Sequence, residues 1–166
     1  MKYMRRIFAL SCALFMLLSS HSAVYASGMY GWTTGKPASS DVEYEIVGDS
    51  ALAQEVLDIL NTDRARAGLS ALELDARLCE AAQIRLNEIV QQFSHTRPDG
   101  TKFATVCEGA YAENIARGQR SAVRVMAAWM SSDGHRANIL NPRYATVGIC
   151  ACEVNGIMYW VQLFGK

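Results

Sequence analysis

Residues 147–164 read V-G-I-C-A-C-E-V-N-G-I-M-Y-W-V-Q-L-F, two apolar runs on either side of Asn155-Gly156. Asn-Gly is the dipeptide best suited to a two-residue turn whose central residues both need positive φ, so this spacing predicts an antiparallel hairpin. The stretch Met158-Tyr159-Trp160-Val161 shows no polar alternation. A strand that is apolar on both sides needs cover on both sides. Helices packed on either face of a small antiparallel sheet meet that need, which makes the chain α+β.

The residues upstream supply such helices. Ser50 reads as an N-cap for Leu52, Val56, Leu57, Ile59 and Leu60 at helical spacing, with Gly68 where a C′ glycine belongs. Asp75 caps a second helix whose Leu78, Ala81, Ala82, Leu86, Ile89 and Phe93 make one stripe, with Cys79 beside it. A third starts near Ser121 and buries Val125, Met126 and Trp129. Between the second and third, Pro98-Asp99-Gly100 suits a type I turn. Residues 111–116 (Y-A-E-N-I-A) fit a short strand or a turn, and periodicity does not choose. After the third helix, residues 129–144 (W-M-S-S-D-G-H-R-A-N-I-L-N-P-R-Y) pass through a turn at Asp133-Gly134, reach His135 and close on Asn141-Pro142.

The N-terminal end carries an address. Lys2, Arg5 and Arg6 precede an apolar run over residues 7–18, and Val24 and Ala26 place small residues before a cleavage point. This predicts a signal peptide over 1–26, cleaved after Ala26, and a secreted chain. The run is shorter than the ~20 residues of a spanning helix. Residues 27–48, rich in Gly, Ser and Tyr with Pro37, read as a linker or N-terminal arm, leaving 49–166 as the domain. Loss of Lys2, Arg5 and Arg6 leaves 13 bases against 16 acids, a net charge of −3. A mildly acidic chain without a basic run has no electrostatic footprint for nucleic acid. Four cysteines remain: Cys79, Cys107, Cys150 and Cys152. An even number in an exported chain predicts two disulfides of open pairing, with Cys150 and Cys152 on one face of a strand and so bonded to other elements. Their C-x-C spacing does not match a zinc site.

Three residues stand out for chemistry: His95, Glu113 and His135. Two imidazoles and a carboxylate can bind Zn2+ or another divalent metal, with a fourth position left open. The same trio can act as general acid and base. Ser94, Ser131 and Ser132 lie near the histidines, but no G-x-S-x-G elbow is present, and Ser131-Ser132 fit a helix end better. Asn138 and Asn141 read as turn and capping groups, and Trp129 as core.

Four segments in this order resemble the CAP superfamily (SCP domains; cysteine-rich secretory, antigen 5 and pathogenesis-related proteins), in its bacterial secreted branch. They are Leu60-Asn61 through Arg64 to Gly68-Leu69, the turn Ser94-His95-Thr96-Arg97-Pro98-Asp99-Gly100, Ala112-Glu113-Asn114-Ile115, and Trp129 through Gly134-His135-Arg136-Ala137-Asn138-Ile139-Leu140 to the closing Tyr159-Trp160-Val161-Gln162-Leu163-Phe164. The likeness covers about residues 50–166. It implies an α-β-α sandwich with a central cleft of two His and two Glu, of which His95, Glu113 and His135 match three. The fourth departs: Met130, Ser131 and Ser132 follow Trp129 where the full tetrad has a glutamate. The resemblance implies a binding module for a small molecule, lipid or cell-envelope ligand, or alternatively a hydrolase of peptides or envelope polymers. It transfers no single reaction.

Overall fold

Asn155 and Gly156 both take positive φ, at 51° and 76°, and reverse the chain between β3 (Thr146–Val154) and β4 (Ile157–Gly165). The computed structural model describes residues 48–166. The signal peptide and all but the last residue of the arm therefore lie outside the described residues. From α1 (Ser50–Arg66) the chain runs through β1 (Glu73–Leu74), α2 (Ala76–Gln91), a 3₁₀ turn (Phe103–Val106), β2 (Ala112–Arg117), α3 (Ala122–Met130) and α4 (Asp133–Ile139) into the hairpin. The sheet order is β1-β3-β4-β2. The hairpin and β2 pair antiparallel, but β1 runs parallel to β3 through Glu73↔Thr146 and Leu74↔Val147, so the sheet is mixed. Two residues are too few to show a strand pattern in the sequence.

Strand alternation divides the core into two layers. Val147, Ile149, Ala151, Trp160 and Phe164 face Val56 and Leu60 of α1, Val125, Met126 and Trp129 of α3, and Ile139 of α4. Cys150, Cys152, Tyr159, Val161 and Leu163 face Leu78, Ala82, Leu86 and Ile89 of α2. This is the α-β-α sandwich. At Gly148 the α2 backbone comes so close that a Cβ would lie 2.1 Å from the Leu78 carbonyl carbon. Only glycine fits that approach.

Several local expectations change. The N-cap of α1 is Asp49, whose carboxylate accepts from Ala51 and Leu52, with Ser50 as the first helical residue. Asp133-Gly134 opens α4 instead of forming a turn, and Asp133 suits the positive end of that helix. His135 thus lies in a short helix and not in a connection. No disulfide forms among the described residues: Cys79, Cys107, Cys150 and Cys152 are all free. Two sulfurs are held locally, Cys107 Sγ donating to Glu108 O and Cys150 Sγ to Gln83 Oε1, each at 3.2 Å. Burial pushes the Cys150 thiol up to about 12 and the Cys152 thiol to about 11.

Candidate functional site

Arg85, in the middle of α2, is fully buried, and its Nε donates to Glu113 Oε1 at 2.6 Å. Its Nη2 reaches Glu113 Oε2 at 3.4 Å and Ser94 O at 2.7 Å, while Nη1 donates to Glu88 Oε2. Glu88 in turn receives Arg97 from the loop after α2, with Nη2 to Oε1 at 2.6 Å. The loop that carries His95 is therefore tied to α2 on both sides of the histidine. Burial works to raise the Glu88 pKa, but hydrogen bonds from Arg97 and Arg85 prevail and hold it below the usual carboxylate value. Burial works to lower the Arg85 pKa, and bonds to Glu113 and Glu88 hold it above its ordinary value.

His95 Nδ1 lies 2.7 Å from Glu113 Oε2. The Glu113 side chain is fully buried, and the His95 side chain is 55% exposed. An imidazole reaching out from a buried carboxylate has its orientation set and its other nitrogen left over for a ligand or a proton. His135 sits in the first turn of α4, close enough for His95 to act on it. Burial first, and His95 second, hold its pKa below 6.5, which favours the neutral ring. Of the three residues picked from sequence, Glu113 on β2 and His95 after α2 touch directly, and His135 sits on α4, whose backbone there is bonded to Asn114 next to Glu113.

A buried amide network fixes the α4 side. Asn114 Nδ2 donates to His135 O at 3.2 Å and to Gln162 Oε1 at 3.1 Å, and Asn114 Oδ1 accepts from Asn138 Nδ2 at 2.9 Å. Asn138 is therefore a bridge between α4 and β2, not a turn or cap. Asn141 does cap its own turn, accepting from Arg143 N–H at 3.0 Å. Arg85, Asn114 and Gln162 were missed from sequence. A buried polar residue on an apolar helix or strand face was the available signal, since such groups need partners.

Glu113 is not free to join a metal ion as it stands. Both Glu113 oxygens are already engaged, by Arg85 and by His95, and a metal would have to displace a buried ion pair. Among the described residues no group of three or more His, Cys, Asp or Glu is placed to hold a metal ion. The serines make no bond to either histidine: Ser131 Oγ donates to Ala127 O, and Ser94 Oγ accepts from Thr96 N–H.

Beside His135 a groove of ≈ 300 Å³ runs between the two helical layers, lined on one flank by Phe93 and on the other by Ala128, Trp129, Ser132 and His135. Ile115, Ala116 and Arg117 of β2 form its floor. Trp129 is core as expected, buried to 1%, and its Nε1 donates to Ile115 O at 3.3 Å. Among the described residues no helix is long and apolar enough to cross a membrane.

YkwD of Bacillus subtilis (strain 168) is 33% identical over 123 residues, which cover 69% of this chain and 47% of YkwD. The chain thus spans about half the length of that relative. The crystal structure of an extracellular SCP-domain protein from Bacillus anthracis str. Ames superposes with a TM-score of 0.65 at 24% identity, covering 71% of this chain and 41% of that one. An outer surface protein of Borrelia burgdorferi superposes with a TM-score of 0.61 at 20% identity, over 72% of this chain and 98% of that one. At such identities the likeness is one of fold. With the model of the cysteine-rich secretory protein family, CAP, matching residues 57–164, and with the sandwich described above, the chain belongs to the CAP family.

Proposed function

We propose that this CAP domain works outside the cell as a binding module, holding a small molecule, a lipid or a cell-envelope component in the cleft beside His95, Glu113 and His135. Residues 1–26 are then a signal peptide cleaved after Ala26, which agrees with an extracellular and an outer-surface protein among the structural relatives. The observation that carries the binding role is the state of Glu113. Its carboxylate is buried with both oxygens bonded, so it holds Arg85 and His95 in place beside an open groove.

Cell-envelope fragments titrated calorimetrically into the mature protein should release heat that His135→Ala reduces. Zinc or calcium heat that His95→Ala and His135→Ala both abolish would restore the metal reading instead. Mass spectrometry of the secreted protein should find a chain starting at Ser27.

One observation favours a hydrolase of peptides or envelope polymers as the second reading. The His95–Glu113 contact orients an imidazole by a carboxylate, as in proton-carrying dyads. Turnover of an envelope substrate that Glu113→Gln abolishes, with the fold intact by circular dichroism, would make that reading the better one.

A further inference from the structure

The floor of the groove is the open edge of the sheet. β2 pairs with β4 from Ala112↔Phe164 to Arg117↔Tyr159, and Gly118 N–H donates to Met158 O at 2.8 Å. Even-numbered residues therefore bond to β4, while residues 113, 115 and 117 turn their N–H and C=O away from the sheet. Two of those outward groups are covered by side chains: Glu113 O by Asn138 Nδ2 at 3.4 Å, and Ile115 O by Trp129 Nε1. Among the described residues the N–H groups of Ile115 and Arg117 and the carbonyl of Arg117 meet no partner. Thus Asn138 of α4 and Trp129 of α3 cover two carbonyls of the edge, and the groove leaves the Ile115 N–H and the Arg117 end open.

We infer that the groove binds a peptide in extended conformation, bearing an acidic side chain, as an added strand along residues 115–117 of β2. The inference rests on the cleft being a ligand site and names the class of its ligand. Donors two residues apart on a strand lie about 7 Å apart, which is the repeat of a second extended chain. A lipid tail offers no acceptors at that spacing. The flanks suit alternating side chains, one toward the exposed Phe93 ring and the next toward Ala128 and Trp129. Ala116 and Ala128 leave room for them. Charge favours an acidic group: Arg117, whose guanidinium lies 5.7 Å from the Phe93 ring centroid, lines the groove, no carboxylate does, and the neutral His135 ring beside it can add a hydrogen bond. The ladder is short because Trp129 already occupies Ile115 O, so specificity comes from the flanks.

The test is selection of random octapeptides, displayed on phage, against the mature protein. Enriched peptides should carry Asp or Glu, and amide exchange followed by NMR should slow at Ile115 and Arg117 when they bind. Methylating the peptide nitrogens that face β2 should weaken binding about tenfold, the loss expected from one or two backbone bonds. Arg117→Glu should weaken it by a similar factor. Failure to enrich any peptide, or enriched peptides that leave those two amides unchanged, would overturn the inference. So would protection without peptide: if it rises with protein concentration the edge belongs to a second copy, and if it does not, to this chain itself. Envelope fragments that bind in calorimetry while peptides do not would sink the peptide inference alone. Silence in both experiments would remove the binding role as well.

Discussion

Arg64 and Arg85 are both buried arginines on long helices, yet their partners differ in kind. Arg64, near the end of α1, meets only backbone carbonyls: Ser70 O at 2.8 Å, Ile139 O at 2.7 Å, Asn141 O at 3.0 Å and Tyr144 O at 3.3 Å. It gathers the C-terminal end of α4 and the loop into β3, where a helix presents its negative end. With no carboxylate beside it, burial lowers its pKa. Arg85 meets two carboxylates and one carbonyl, and its pKa is raised. The first arginine joins pieces of backbone. The second fixes the side chains of the cleft, and so it is bound up with whatever the cleft does.

Removing each arginine should separate these roles. Arg85→Met leaves the Glu113 charge buried and unpaired and should cost about 3–5 kcal/mol in urea unfolding. Adding Glu113→Gln should recover part of that loss, because the orphaned charge is gone. A double variant less stable than the single one would break the comparison. Arg64→Met should cost about 2–3 kcal/mol, since several carbonyls lose one charged donor. No carboxylate change can rescue it, and amide exchange should quicken around residues 139–144.

Smaller effects sharpen the contrast. Asn138→Ala removes the bridge from α4 to Asn114 and should cost about 1–2 kcal/mol. His135 resonances should shift with it. Asp49→Ala, a helix cap far from the cleft, should cost about 1 kcal/mol and leave His135 untouched.

Acid should act through His135 before Glu88. A histidine whose folded pKa lies below 6.5 binds protons more readily when unfolded, so stability is full above 6.5 and falls as pH drops toward the folded value. The lowered Glu88 pKa has the same sign and a later onset: its contribution stands above 4.5 and fades as pH drops through the folded value. Urea midpoints measured against pH should fall in two stages, and His135→Gln should flatten the upper one.

The elements were legible where the code is local. Asn155-Gly156 forces its turn by φ alone, Asp75 caps its helix and α3 starts after Ser121 as expected, and the apolar runs of β3 and β4 required cover on both faces. His95, Glu113 and His135 could be named because imidazoles are scarce in residues 48–166 and the motifs match a family. What failed involved partners chosen at a distance. Arg85 looked like an ordinary helix residue because Glu113, 28 positions away, is invisible to helical periodicity. Asn138 looked like a turn former because its true partners sit on β2. An even cysteine count says nothing about where sulfurs point, and the packing leaves all four free.

The sequence by itself determined α1, α2, α3, the hairpin, the two-sided core and the family, since periodicity, capping and turn chemistry act over a few residues. Only the tertiary structure decided that Glu113 is spent on Arg85 and His95, that the sheet takes a parallel edge strand, and that half of β2 stays open beside the cleft. The reason is physical: a buried charge or an unpaired strand edge is defined by what packs against it, and that packing comes from residues far away in the chain.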